Sequence, residues 1–351
     1  MLCFPRDPAV VINRSPIRTG PRRLLRPANA LIVASAMMFS ACGTTSPPPI
    51  APEKLPQVVV PVAERATYTR CYQTEPDTYL LQTGYRTFKP KSGRGPVIEL
   101  LGAAHIGEAD YYAALQRRMD QSDAVLYEMV TDEKNPANPL TPEESAQKMS
   151  GSAYNKLAGL LNLSSQKACL RYDRKHFYRC DMTVQQMQAL LAAEKNQGGK
   201  QESEAKRAEG QFSNLSNAMR GRSWLLNFGF WAANKLPALK ARLKFAMVVN
   251  TPSSQEEISS SSRLTQLINA DRNAHVLREL PTFIAKHPKV KHLVIFYGSA
   301  HLPGLADGLA KRGYTPDGPI RWLTVARCHP QADGLDPSEI QQEIADARNK
   351  K

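Results

Sequence analysis

Residues 292–314 read HLVIFYGSAHLPGLADGLAKRGY, and the fold turns on them. The stretch to Tyr297 is almost wholly apolar, as in a strand buried on both faces, and the spacing beyond predicts a helix over about 303–312. Gly298, Ser299 and Ala300 are small, as a sharp strand-to-helix turn requires, and His301 stands at the joint. Residues 97–106, VIELLGAAHI, repeat the pattern, pairing Gly102 with Gly298, Ala104 with Ala300, His105 with His301 and Ile106 with Leu302. In each unit the glycine is expected to permit strained dihedrals, and its small neighbours to let the helix approach. The next side chain then points into the crevice beyond the strand ends, where open α/β sheets bind ligands. One Gly-x-x-His is a weak signal; two, each behind an apolar strand, would bring two imidazoles to one crevice. The fold class is α/β, an α+β arrangement with a mixed central sheet, in which two GxxH β-α units flank a largely helical insertion at about 140–285.

The segment AVLYEMV, residues 124–130, supplies a third strand. With the helix before it, whose buried face is predicted to carry Leu115 and Met119, residues 97–130 form a β-α-β unit. Glu128 closes that strand, and a carboxylate there is costly to bury unless paired, protonated or bound to a cation. If its strand lies beside that of His105, then His105, His301 and Glu128 make a two-histidine, one-carboxylate set that suits a divalent metal (manganese, cobalt or zinc) and a bound water. Taken singly, each residue reads first as a capped or hydrogen-bonded polar group.

Elsewhere the reading is coarser. One or two strands are expected in 64–92. Thr141 begins a capping-box helix, and either Asp181 or Thr183 caps the helix VQQMQALLAAEK. Residues 194–222 are polar and read as a solvent-bathed excursion. The aromatic stretch 223–250 reads as packing or a pocket lid ahead of membrane contact, with Pro237 breaking it. A serine-rich link precedes a long helix through 264–288, and IRWLTVARC is the last strand. The folded part is expected to span 64–330, with a frayed polar tail at 331–351.

The chain has 351 residues and a formal charge of +14. Its first 42 residues hold six arginines, one acid and then the apolar run ALIVASAMMFSAC, the pattern of a secretory signal rather than a spanning helix. FSAC resembles a lipoprotein box, which makes Cys42 the expected lipidation site. The Pro-rich residues 43–63 read as a tether, so the chain is expected in a bacterial cell envelope, periplasmic and held to the membrane, the outer one, by lipid. Without the signal the charge falls to +9, spread along helices with no dense basic run, which disfavours nucleic-acid binding. Cys71, Cys169, Cys180 and Cys328 then remain, and export makes them disulfide candidates. Of the three possible pairings, Cys71–Cys328 and Cys169–Cys180 are the favoured ones.

GAAHIG, VLYEM, NADRN and VIFYGSAHLPGLADGLAKRGY together resemble the TraB/PrgY/GumN family, related to the TIKI metalloproteases, over most of residues 75–326. The resemblance implies an active centre of the two GxxH histidines and the strand-end glutamate, here His105, His301 and Glu128. It also brings in Arg272 and Asn273 from the long helix, with Arg272 as a charge for a substrate carboxylate or an oxyanion. CDMT resembles the family's middle region, with Asp181 read first as a cap. Ala103 departs from the threonine of many relatives. The expected function is a metal-dependent hydrolase acting on a peptide or protein through a metal-bound water. The alternatives are a haem-binding lipoprotein with the two histidines as axial ligands and a non-catalytic partner-binding protein.

Overall fold

The computed structural model describes residues 67–131, 152–196, 199–219, 230, 233–250 and 262–349. The expected signal and Cys42, the tether, the helix at Thr141 and residues 253–261 of the serine-rich link lie outside them. Strands β1 (Thr69–Glu75), β2 (Thr78–Pro90) and β3 (Val97–Ala103) form an antiparallel meander. A short β4 (Ile106–Gly107) leads into helix α1 (Ala109–Asp120) and strand β5 (Ala124–Tyr127). Next come α2 (Ala153–Leu160), β6 (Ser164–Ser165), α3 (Gln166–Cys169), β7 (Phe177–Arg179) and α4 (Val184–Lys195). Helices α5 (Gly199–Met219), α6 (Pro237–Val249) and α7 (Arg263–Gln266) follow. A π turn, Leu267–Asp271, joins α7 to α8 (Arg272–Lys286). The chain closes with β8 (His292–Gly298), a 3-10 turn, α9 (Leu302–Lys311), β9 (Tyr314–Cys328) and α10 (Pro337–Asn349).

The mixed seven-stranded sheet has the order β1-β2-β3-β8-β5-β7, with β9 paired to β2. Strands β3, β8, β5 and β7 run parallel. Both faces of their centre are covered, which is why these strands read as apolar runs rather than alternations. On one face Leu101, Val125, Val294 and Phe296 pack against Leu115 and Met119 of α1, Phe245 of α6 and Ile344 of α10. On the other, Leu100, Leu126, Ile295 and Tyr297 meet Val276 and Leu280 of α8 and Leu302 and Leu305 of α9.

The order differs from the expectation at the point that matters for the site. Strand β8 inserts between β3 and β5, so Glu128 follows a strand next to that of His301, not that of His105. Strand β7 joins the sheet from the break, residues 169–183, within the insertion read as largely helical. The polar residues 199–219 form a helix that buries Ala205 and Ala208, with Phe212 half-buried, against a cluster that includes Met187 and Leu191 of α4. Pro237 breaks the stretch as expected: the helical residues 233–234 give way to a turn, and Pro237 opens α6, whose first turn has no use for its missing N–H. Phe230 and Ala233 pack with Leu160, Leu161 and Leu243, as the packing reading of that stretch expects. The tail is not frayed: Leu335, Ile340 and Ile344 insert into the core.

Neither favoured disulfide is present. Cys71 faces Leu81 across one edge of β2 and Cys328 faces Tyr79 across the other. Two strand spacings, roughly 9–10 Å, exceed the reach of a disulfide. Cys169 packs on one face of the sheet and Cys180 on the opposite one, with the sheet between them.

The motif glycines are explained by space. Neither Gly102 nor Gly298 has a positive φ. A Cβ on Gly102 would lie 2.7 Å from Gly84 O, 3.2 Å from Leu302 Cδ2 and 3.3 Å from Ser299 Cβ. The Gly84 carbonyl is backbone and cannot swing away. Gly102→Ala is therefore expected to lower stability by about 1–3 kcal/mol in urea denaturation, and an unchanged midpoint would contradict the close approach.

Candidate functional site: a buried carboxylate–arginine cluster facing two histidines

The crevice lies at the C-terminal ends of β3, β8 and β5. The first GxxH turn is locked by two tyrosines at the start of α1. Tyr111 Oη donates to Gly102 O (3.2 Å) and accepts from Ala104 N (3.1 Å), and Tyr112 Oη donates to Ala104 O (3.0 Å). Beyond it, Gln166 N donates to His105 O (2.9 Å), which ties α3 to the turn. Gln166 Oε1 meets His105 Nδ1 at 2.9 Å while its Nε2 donates to Tyr172 Oη at 2.9 Å. His105 is exposed and lies beside Tyr154, ring centroids 5.1 Å apart.

The second histidine is buried at 4% exposure. Asn273 Nδ2 donates to His301 O (3.1 Å), which turns its Oδ1 to the ring, 2.8 Å from Nδ1. An amide oxygen only accepts, so Nδ1 carries the ring proton and Nε2 presents its lone pair. That lone pair faces Glu128 Oε1 at 3.7 Å. Burial, with help from Arg272 and His105 and against the pull of Glu128, lowers the His301 pKa to about 4. The imidazole is neutral at pH 7.

Glu128 has two other partners. Gly298 N donates to Oε2 (2.6 Å), and a Cβ on Gly298 would stand 3.2 Å from that oxygen, so the second motif glycine makes room for the carboxylate. Arg272 Nη2 donates to Oε1 (2.6 Å). Burial raises the pKa of Glu128, but Arg272, the two histidines and the Gly298 amide together hold it well below the usual carboxylate range. Arg272 is also gripped by Asp181, with Nε to Oδ1 at 2.9 Å and Nη2 to Oδ2 at 2.6 Å, and its Nη1 donates to Ile268 O at 3.3 Å in the π turn. The π turn thus offers a carbonyl to the guanidinium, in keeping with the habit of such turns to occur at functional sites.

These contacts change two expectations. Arg272 has all three nitrogens committed, so it clamps two carboxylates rather than standing ready for a substrate anion. Asp181 is not the helix cap: Thr183 and Gln186 form a reciprocal capping box at the start of α4. Asp181 is buried, its pKa raised by burial against the pull of Arg272. The buried carboxylate Glu99 on β3 has no such role, since Arg118 binds it with both Nε (2.9 Å) and Nη2 (2.6 Å).

Sequence reasoning brought His105, His301, Glu128, Arg272 and Asn273 to one crevice. It missed Tyr154, Gln166 and Tyr172, which sit in helix α2, helix α3 and a loop with no pattern to mark them. It also missed Lys167, a partly buried lysine whose pKa is lowered by burial, with Glu128 opposing. Among the described residues no three His, Cys, Asp or Glu side chains converge as a metal-binding group. The His301–Glu128 pair does meet, and two atoms each about 2.1 Å from a common ion can lie 3.7 Å apart. No family model, curated protein or solved structure matches the chain.

Proposed function

We propose that the chain is a lipid-anchored, periplasmic TraB/GumN-like protein whose crevice works as a divalent-cation-dependent hydrolase of peptide substrates. One observation carries the cation. The bare Nε2 of a neutral His301 faces an ionised Glu128 oxygen at 3.7 Å, and a positive ion between two such buried lone pairs would relieve their repulsion. The charges agree, since Glu128 and Asp181 share a single Arg272, and burial disfavours the charged form of Lys167 nearby. His301 Nε2 and Glu128 Oε1 would hold the ion, with His105 Nε2 as the third donor.

The remaining residues prepare those donors. Asn273 and Gln166 fix the tautomers of the two imidazoles, as partners of metal-binding histidines commonly do. Arg272 keeps Glu128 ionised, Asp181 anchors Arg272, and the Gly298 amide orients the second carboxylate oxygen. A divalent ion held there supplies a water of lowered pKa and polarises a carbonyl, which is the chemistry of amide hydrolysis. The haem alternative asks for two accessible axial imidazoles, and the burial of His301 against a carboxylate favours the small cation.

The test is elemental analysis of the mature chain and titration with manganese, cobalt and zinc, beside the His105→Ala/His301→Ala variant. One equivalent bound by the native chain and lost in the variant is expected, followed by cleavage in a peptide library. Asn273→Ala is expected to fold and to bind the ion about 10–100-fold more weakly. An affinity unchanged in the double variant, or no ion bound by the native chain, would sink the reading.

A further inference from the structure

A cleft of about 420 Å³ opens behind the histidine crevice, at the sheet edge formed by β7. Its walls are Tyr178, Arg179 and Asp181 from β7 and the residues after it, Gln186 from α4, and His275, Glu279, Thr282, Phe283 and Lys286 from α8. It shares Asp181 with the crevice but neither of its histidines. The volume falls in the range of small-molecule sites.

The hydrogen bonds already made decide what the walls offer. Gln186 Oε1 is used by Thr183 N, which leaves the Nε2 amide. Arg278 Nη2 approaches His275 Nδ1 at 3.0 Å, and because a guanidinium only donates, Nδ1 accepts and Nε2 carries the ring N–H. Burial and Arg278 lower the pKa of His275, which keeps that ring neutral. Arg179 spends Nη1 on Asp181 O (2.8 Å) and keeps its other guanidinium donors. Lys286 is exposed, and Thr282 adds a hydroxyl. Of the two acids of the wall, Asp181 is held by Arg272, and Glu279, half exposed, makes a loose 3.7 Å ion contact with Arg278. Donors therefore dominate, while Tyr178 and Phe283, edge to face with centroids 5.0 Å apart, give an aromatic flank.

We propose that this cleft is a second ligand site, which takes a small molecule carrying a carboxylate or phosphate group on an aromatic or apolar body. The anion would meet Arg179, Lys286 and the Gln186, His275 and Thr282 donors, and the body would lie on Tyr178 and Phe283. The site is independent of any cation in the crevice.

Calorimetric titration of the full mature chain with phenyl phosphate and with phenylacetate tests it. Saturable binding of either ligand is expected, and which one binds identifies the anionic group. Lys286→Gln and Arg179→Gln should each weaken binding about tenfold or more, whereas His301→Ala should leave it unchanged. Lys286 is exposed, so its substitution keeps the test clear of folding defects. Failure of both ligands to bind, binding indifferent to Lys286→Gln, or binding lost in His301→Ala would each overturn the proposal.

Discussion

Replacing Arg272 by methionine is expected to destabilise the fold by about 3–5 kcal/mol, measured by urea denaturation at pH 7. The guanidinium is 5% exposed and is the shared partner of Glu128 and Asp181. Methionine fills similar space, so the loss comes from charge rather than from a cavity. Two carboxylates would be left buried without their shared guanidinium, and at least one would take up a proton. A companion variant separates this from a packing defect. In Arg272→Met/Glu128→Gln/Asp181→Asn no charge remains to be stranded, and most of the stability should return. A single variant that loses less than about 1 kcal/mol, a value typical of exposed pairs, would mean that the cluster is far more hydrated than its burial implies.

Acid is expected to remove a comparable amount. Free in an unfolded chain, His301 titrates near 6.5; in the fold its pKa is about 4. Between those values the unfolded chain binds a proton that the folded chain refuses, so each step down in pH favours unfolding. The stability is complete above about pH 6.5 and is lost as pH falls toward 4, by about 3 kcal/mol. Glu128 adds to the loss below its ordinary pKa because its folded pKa is depressed, whereas Asp181, raised by burial, acts with the opposite sign. The measurement is stability against pH in the presence of EDTA, so that no cation competes for Nε2. His301→Gln should flatten the segment between pH 6.5 and 5; an unchanged slope there would assign the acid response to other groups.

The two GxxH units were legible because everything that makes them is local. An apolar run, a glycine, two small residues and a helix start lie within about fifteen residues, and the motif needs no partner to be seen. The sheet order was not legible, since nothing in residues 97–130 says that β8 will come between β3 and β5. Strand β7 is three residues long with a charge at its end, too short to show a period. Helix α5 hides for the opposite reason, because its described residues bury little beyond Ala205 and Ala208 and its pattern is polar almost all round. The C-terminal helix was missed though its signal was present: Ile340, Ile344 and Ala347 are spaced four and three apart, the interval of a buried helix face. In the site, Glu128 and Arg272 could be picked out singly, but that Asp181 occupies the guanidinium and leaves it nothing for a substrate is a fact of three distant segments meeting.

The position of β8 also bears on how the chain is made. Strand β8, inside the parallel group β3-β8-β5-β7, is its last-synthesised member, emerging about 170–195 residues after the two strands it separates. Until then β3 and β5 each present an open, apolar edge with no strand to pair it, in a chain expected to cross a membrane before it folds. Closing so long a loop is slow, and exposed edges recruit other chains. Escort by a holdase until residue 298 arrives would be a condition of reaching the native sheet in good yield, and a variant truncated before β8 should aggregate rather than persist as a partly folded monomer.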